Sequence, residues 1–277
     1  MTTELTGYDP TIENRDAIKA SSTEIAFTMR DFEVPEEIDP RPLMRHDKQL
    51  NMSSCQGFSL ANACEYVWAL AQGGFSAERQ LSSLYAYLES QRLDGGRLFG
   101  VDKGSTINSG LKVATTIGML PEADLPYRTP YPNNARTIVT DAMRAKAGEF
   151  KIRSHTWLDS YDAIFRYLAS GVGAVHTGTL WNDSFYARNG VLETVSLGRG
   201  GGHATAWLGY SKRKDSKNRN YIWRLNSHND SWTEIAPSVI DQLCRHEYTS
   251  IVGVSDLSTP TPVPKRVSWL KGRFLEG

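Results

Sequence analysis

Gln49-Leu-Asn-Met-Ser-Ser-Cys55-Gln-Gly-Phe-Ser59 runs directly into the apolar stretch Leu60 to Ala71. Leu60, Cys64, Val67 and Ala71 recur at helical spacing, with Ala61 and Trp68 beside them, so the stretch predicts a buried helix. Ser53 and Ser54 are N-cap residue types, which puts Cys55 in the first turn. There the unpaired N–H groups and the positive end of the helix dipole favour an anion, and a thiolate is one. Cys55 thus has the placement of a nucleophile, whereas Cys64, two turns further in, has that of a packing residue.

Around this stretch, 277 residues with 40% hydrophobic content are enough to bury a core as one large domain or two packed subdomains. Lys plus Arg and Asp plus Glu both number 31, so no net charge points to nucleic acid or an anionic membrane. No apolar run approaches the roughly 20 residues of a membrane span. The N-terminus lacks a basic region followed by an apolar one, and three cysteines are too few for a disulfide framework. Cys55, Cys64 and Cys244 read as reduced thiols, and the expected location is the cytoplasm.

Residues 1–33 are polar, with a possible short helix at Ile12–Ala20. Val34 to Pro42 is extended and proline-punctuated. After the central helix come a second at Gln80–Gln91, a glycine-rich loop at Asp94–Gly104, and a third from Ile107 to Gly118. An irregular Tyr/Pro segment follows at Pro121–Pro132. The period then changes. A short helix at Ser160–Ala169 is stopped by Gly171, and strands are expected at Val172–Thr177, Ala204–Tyr210, Tyr221–Asn226 and Tyr248–Val254. A mainly helical half followed by an antiparallel half predicts an α+β protein with its cleft between the two.

A cysteine nucleophile needs a base and a group to orient that base. His203 lies in Gly200-Gly-Gly-His-Ala-Thr-Ala-Trp-Leu-Gly-Tyr210 at the start of a strand, and Asn226 closes the next strand in Leu225-Asn-Ser-His-Asn-Asp-Ser-Trp-Thr-Glu234. The chain resembles the papain-family cysteine peptidases over about residues 34–257, between an N-terminal arm, 1–33, and a basic, proline-containing tail, 258–277. Ser54-Cys55-x-x-Phe58-Ser59 repeats that family's nucleophile segment, and Gln49 stands where its oxyanion-hole glutamine does. His203-Ala204, Gly209-Tyr210, Asn226-Ser227, Trp232 and Glu234 fit its later motifs, while Asp39 and Arg41 fit its entry segment and Leu125-Pro-Tyr127 its Tyr-Pro-Tyr region. His203 follows Cys55 by 148 residues (203 − 55), within the papain-like range of about 130–150.

The resemblance implies a papain-like fold of two subdomains, the second an antiparallel sheet or barrel. It implies a peptidase acting on peptide or protein substrates, with no cofactor or metal. Cys55 would be the nucleophile, His203 the base, Asn226 the orienting residue and Gln49 an oxyanion donor. The Cys55–His203 pair would rest as thiolate and imidazolium. Gly104 and Ser105 would pair with an extended substrate, with Trp232 also at the cleft.

Three positions depart from the pattern. Gln56 replaces the aromatic after the nucleophile. His228 replaces the tryptophan that shields the His–Asn bond, which predicts entry of solvent, with Trp232 a partial substitute. Ser105 replaces a glycine and predicts a narrowed pocket. These changes keep open a catalytically weak or inactive papain-fold binding or structural component. An acyltransferase or transglutaminase is opposed by Asn226, and a compact cell-wall amidase by the long helical segment between Cys55 and His203. The arm is expected to clamp the domain surface, in preference to inhibiting the site. His46 with Asp47, and His176, read as loop or core positions, not metal ligands. Lys212, Arg213, Lys214, Lys217 and Arg219 read as a solvated hairpin tip opposed by Asp215.

Overall fold

The computed structural model describes residues 7–24, 32–72, 80–228 and 232–256, so the tail at 258–277 and parts of the arm lie outside the described residues. A short helix, α1 (Arg15–Ala20), begins where the Asn14 side chain accepts the Ala17 N–H. A 3-10 turn at Arg41–Leu43 precedes α2 (Cys55–Gln72). Leu60, Cys64 and Val67 are buried as their spacing predicts, and so are Ala61, Ala63 and Tyr66. A helix covered all round belongs inside a protein, and α2 is the centre of this one. It packs against α3 (Ser83–Asp94) on one side and the sheet on the other. α4 (Ile107–Lys112) continues as one wider turn over Val113–Ile117, and α5 (Asp141–Ala147) is capped by Thr140.

The second half contains β1 (Ser154–Trp157), α6 (Tyr161–Ala169), β2 (Gly173–Trp181), β3 (Val191–Leu192) and β4 (Gly201–Lys214). β5 (Asn220–Leu225), β6 (Trp232–Ile235), α7 (Pro237–Arg245) and β7 (Ser250–Ser255) complete it. The seven strands form one open sheet in the order β1-β7-β2-β4-β5-β6-β3. Every pairing is antiparallel except β3 with β6. The protein is therefore α+β, with a helical half followed by a sheet half, and the sheet is not a closed barrel. Because α2 covers β2 and β4, these strands read as near-continuous buried runs with little alternation.

Part of the arm does clamp the surface. The Thr23 N–H donates to the His155 carbonyl, and the Trp157 N–H donates to Ser22 Oγ, tying the segment after α1 to β1. The hairpin tip is more paired than its sequence suggests: Arg213 meets Glu234, and Arg219 meets both Asp215 and Asp241.

Candidate active site

Cys55 is the first residue of α2, as its position after Ser53-Ser54 predicts. Ser54 supports that turn through its backbone, its carbonyl accepting the Phe58 N–H, while its hydroxyl lies 2.7 Å from that of Tyr127. The Ser53 N–H donates to Asp102 Oδ1 (2.9 Å), which also accepts from the Tyr87 hydroxyl (2.9 Å). The turn before Cys55 is thus fixed by groups of the helical half, a support that sequence reading missed.

The sheet half brings the other residues. His203 on β4 donates from Nε2 to Asn226 Oδ1 over 2.8 Å. That bond fixes the tautomer and leaves Nδ1 a bare lone pair, with no hydrogen-bond partner. The N–H of the next residue, Ala204, donates to Cys55 Sγ over 3.2 Å, which sets the thiol beside this strand. Gln49 is held by Ser227, whose Oγ donates to Gln49 Oε1 (2.6 Å) and whose carbonyl accepts the Gln49 N–H. Gln49 Nε2 donates to the Met52 carbonyl (2.8 Å). Cys55 thus lies against β4 beside His203's neighbour Ala204, His203 is bonded to Asn226, and Gln49 is bonded to Ser227, the residue after Asn226.

His228 does not open the His203–Asn226 bond to water. Its ring lies 4.6 Å from that of His203, tilted by only 30°, and its N–H reaches Asn226 Oδ1 (3.3 Å). Trp181 packs edge-on against the His203 ring at 4.4 Å. Beside these rings, and with the N-terminal segment seated, His203 is only 1% exposed, so in this closed state the expected entry of solvent is not seen. Trp232 takes no part in this shield and packs instead against Trp223 at 6.5 Å.

Ser105 does not narrow the cleft either. Its hydroxyl turns inward and donates to Gln56 Oε1 over 2.8 Å, the two departures from the family pattern partnering each other. The backbone of Ser105 is left to pair with an extended segment. Gly104 anchors it from behind, its N–H donating to the Tyr87 hydroxyl and its carbonyl accepting from Gln91.

An extended chain already lies there. The Ser105 N–H donates to the Gly7 carbonyl (3.4 Å), and the Asp9 N–H donates to the Ser105 carbonyl (3.1 Å), pairing Tyr8 with Ser105 in parallel. On the other side, the N–H groups of Gly7 and Tyr8 converge on the Gly202 carbonyl. Gly7 sits directly over the thiol: a Cβ there would fall 2.2 Å from Cys55 Sγ and 3.0 Å from the Cys55 backbone nitrogen. Only a residue without a side chain fits so close. Residues 7–9 therefore occupy the cleft, and the expectation of an arm confined to the surface is corrected. Nothing in the local pattern of Gly7-Tyr8-Asp9 marks a segment that docks far away.

The covering changes the charge state expected of the pair. Cys55 is 0% exposed, and burial pushes its thiol up to about 12, against the downward pull of N–H donors including that of Ala204. Burial, with His228 beside it, holds His203 well below an ordinary imidazole, against the upward pull of Asn226. With the arm seated, thiol and imidazole are both neutral rather than an ion pair. Cys64 is also raised, by burial and then by the Glu65 carboxylate.

His46 and His176 find protein partners: His46 Nε2 meets the His228 carbonyl (3.1 Å), and His176 Nδ1 meets Ser59 Oγ (2.7 Å). Among the described residues no group of three or more His, Cys, Asp or Glu is arranged to hold a metal. No described helix is long and apolar enough to cross a membrane. All three cysteines are free.

Xylellain, a cysteine protease from Xylella fastidiosa, superposes with a TM-score of 0.72 at 20% identity, over 92% of this chain and 97% of that one. The fold is that of the papain-like cysteine peptidases. Procathepsin B from Trypanosoma congolense matches with a TM-score of 0.63 at 17% identity over 94% of this chain and 87% of its own. The bromelain protease from Ananas comosus matches with a TM-score of 0.56 at 18% identity over 80% and 99%. At these identities the papain-like fold is what the likeness establishes. Neither a protein-family model nor a curated protein matches the sequence.

Proposed function

We propose that the chain is a cysteine peptidase held latent by its own N-terminal arm. The observation that carries this reading is the His203 Nε2–Asn226 Oδ1 bond, which leaves Nδ1 open, while the next residue, Ala204, meets the thiol at the helix N-terminus. Once the arm leaves, water returns, and the helix end and His203 together favour the thiolate. Cys55 Sγ then attacks the carbonyl carbon of a bound peptide, and His203 keeps the thiol proton. The oxyanion is held by Gln49 Nε2, which has a second N–H beyond the one given to Met52, and by the Cys55 N–H. His203 passes the proton to the departing amine, and water then cleaves the thioester.

The second reading is an arm-closed binding or structural protein. It is favoured by the complete burial of Cys55 and by a thiol that meets Ala204 N–H with no hydrogen bond to His203. The two readings separate in Gly7→Leu, whose side chain cannot be seated over Sγ. A peptidase with this arm gains hydrolysis of a mixed peptide library on that change and loses it again with Cys55→Ala. No cleavage by the arm-displaced protein would favour the second reading.

A further inference from the structure

Strand alternation divides the residues of β2 between two faces. Gly178 faces the arm, since a Cβ there would fall 2.8 Å from the Tyr8 ring. Thr177, Thr179 and Trp181 therefore point to the opposite face. Pairing brings neighbours to that face: Thr205 lies across from Thr177, and Arg224 lies across from Trp207. These residues, with Thr249 just before β7, line an interior cavity that Leu243 of α7 helps to close. Every lining residue is more than nine-tenths buried. The space, about 10 Å³, is room for one body the size of a water molecule or a halide ion.

The groups around it are mainly donors. Trp181 and Trp207 each carry a buried indole N–H that meets no acceptor. Thr179 and Thr249 place their hydroxyl oxygens 3.1 Å apart, so one donates to the other and the second hydrogen is left over. Thr177 spends its hydroxyl hydrogen on the Thr205 carbonyl. The Arg224 guanidinium lies on the same wall, its carbon 4.8 Å from the centre of the Trp181 ring. No acidic side chain is among the lining residues. A water molecule there has two protons of its own to place, whereas an anion accepts from every donor and returns none. The guanidinium offsets part of the cost of dehydrating a negative charge.

We propose that this cavity is a binding site for a single halide ion, chloride, held by the indole N–H groups of Trp181 and Trp207. The site lies on the other face of the sheet from the arm, and its occupancy needs no catalysis. Trp181 belongs to both surroundings, because the same ring packs edge-on against His203.

Thermal unfolding of the full chain at constant ionic strength tests this, with sodium gluconate exchanged stepwise for sodium chloride. An ion bound only by the folded chain raises Tm with its concentration, and gluconate is too large to enter. Tm should therefore climb as chloride replaces gluconate. Trp207→Phe keeps an aromatic ring and removes one N–H, and should require about 10-fold more chloride for the same gain. Crystals grown in sodium bromide should show an anomalous-scattering peak in the cavity. Equal Tm values in gluconate and chloride, a response unmoved by Trp207→Phe, or a water in place of the bromide peak would each overturn the proposal. If Trp207→Phe does not fold, the salt series and the bromide crystal of the unaltered chain decide it.

Discussion

Gln49 is tied at both ends of its side-chain amide, to Ser227 and to Met52, so the amide costs little to hold in place, and in the proposed mechanism its second N–H is the oxyanion donor. Such a donor acts chiefly after the carbonyl becomes tetrahedral, and its loss lowers turnover more than binding. In the arm-displaced protein, Gln49→Ala should reduce the acylation rate about 100- to 1,000-fold. A change in KM alone, measured by single-turnover kinetics, would make Gln49 a structural residue only. Cys64 offers the contrast. It is fully buried on α2 among apolar neighbours, so Cys64→Ala should cost about 1 kcal/mol in urea unfolding and leave turnover largely intact. Cys55, His203, Asn226 and Gln49 could be picked out as candidates because each carries a motif and each motif falls on the element its proposed chemistry needs. The inward turn of Ser105 and the stacking of His228 were not, because the direction of a side chain is decided by tertiary neighbours, here Gln56 and the His203 ring.

At the scale of elements, α2, α3, β4 and β5 were readable because long runs carry period and punctuation together. β1, β3 and β6 span only two to four residues, too few for a period of two to show, and they exist by pairing with neighbours. α7 did carry a signal, Pro237 at its start with Val239, Ile240 and Leu243 on one stripe, and the sequence reading passed over it. The arm is the element that local pattern says least about, since its docking depends on a cleft made by residues about 100 to 200 positions away. Its anchor is Glu13, whose carboxylate oxygens accept the Ile107 and Asn108 N–H groups where α4 begins. Burial, with Asp94 nearby, pushes Glu13 from its ordinary 4.5 up to about 7, against these donors and the Asn14 N–H. A pKa higher when docked than when free means that docking takes up a proton. Docking is therefore strongest below about 4.5 and weakens as pH rises through about 7. Anisotropy of a dye on the N-terminal amine should accordingly fall between pH 5 and pH 8, and Glu13→Ala should remove that step. A pH-independent signal in the unaltered chain would contradict the linkage.

Across the whole molecule, the two halves supply complementary parts of one site. The helical half carries the Cys55 thiol on a helix end, and the sheet half carries His203, the Asn226 amide bonded to it, and Ser227, which holds Gln49; in the proposed peptidase these would be nucleophile, base, orienting group and support of the oxyanion donor. The arm joins both halves through Ser105 on one wall and Gly202 on the other, and so excludes both water and substrate. In the proposed latent peptidase closure would set chemistry as well as access, because burial raises the Cys55 thiol and lowers the His203 imidazole while the arm is seated. The most direct test is the rate of iodoacetamide labelling at Cys55 from pH 4 to pH 10, in the unaltered chain and in Gly7→Leu. The unaltered chain should label slowly throughout, since its covered thiol ionises only near 12. Gly7→Leu should label fast already at mildly acidic pH, and adding His203→Ala should move that onset upward toward the ordinary thiol value of 9.0. Equal labelling of the two proteins across the range, or an onset that ignores His203→Ala, would contradict a latent Cys55–His203 site.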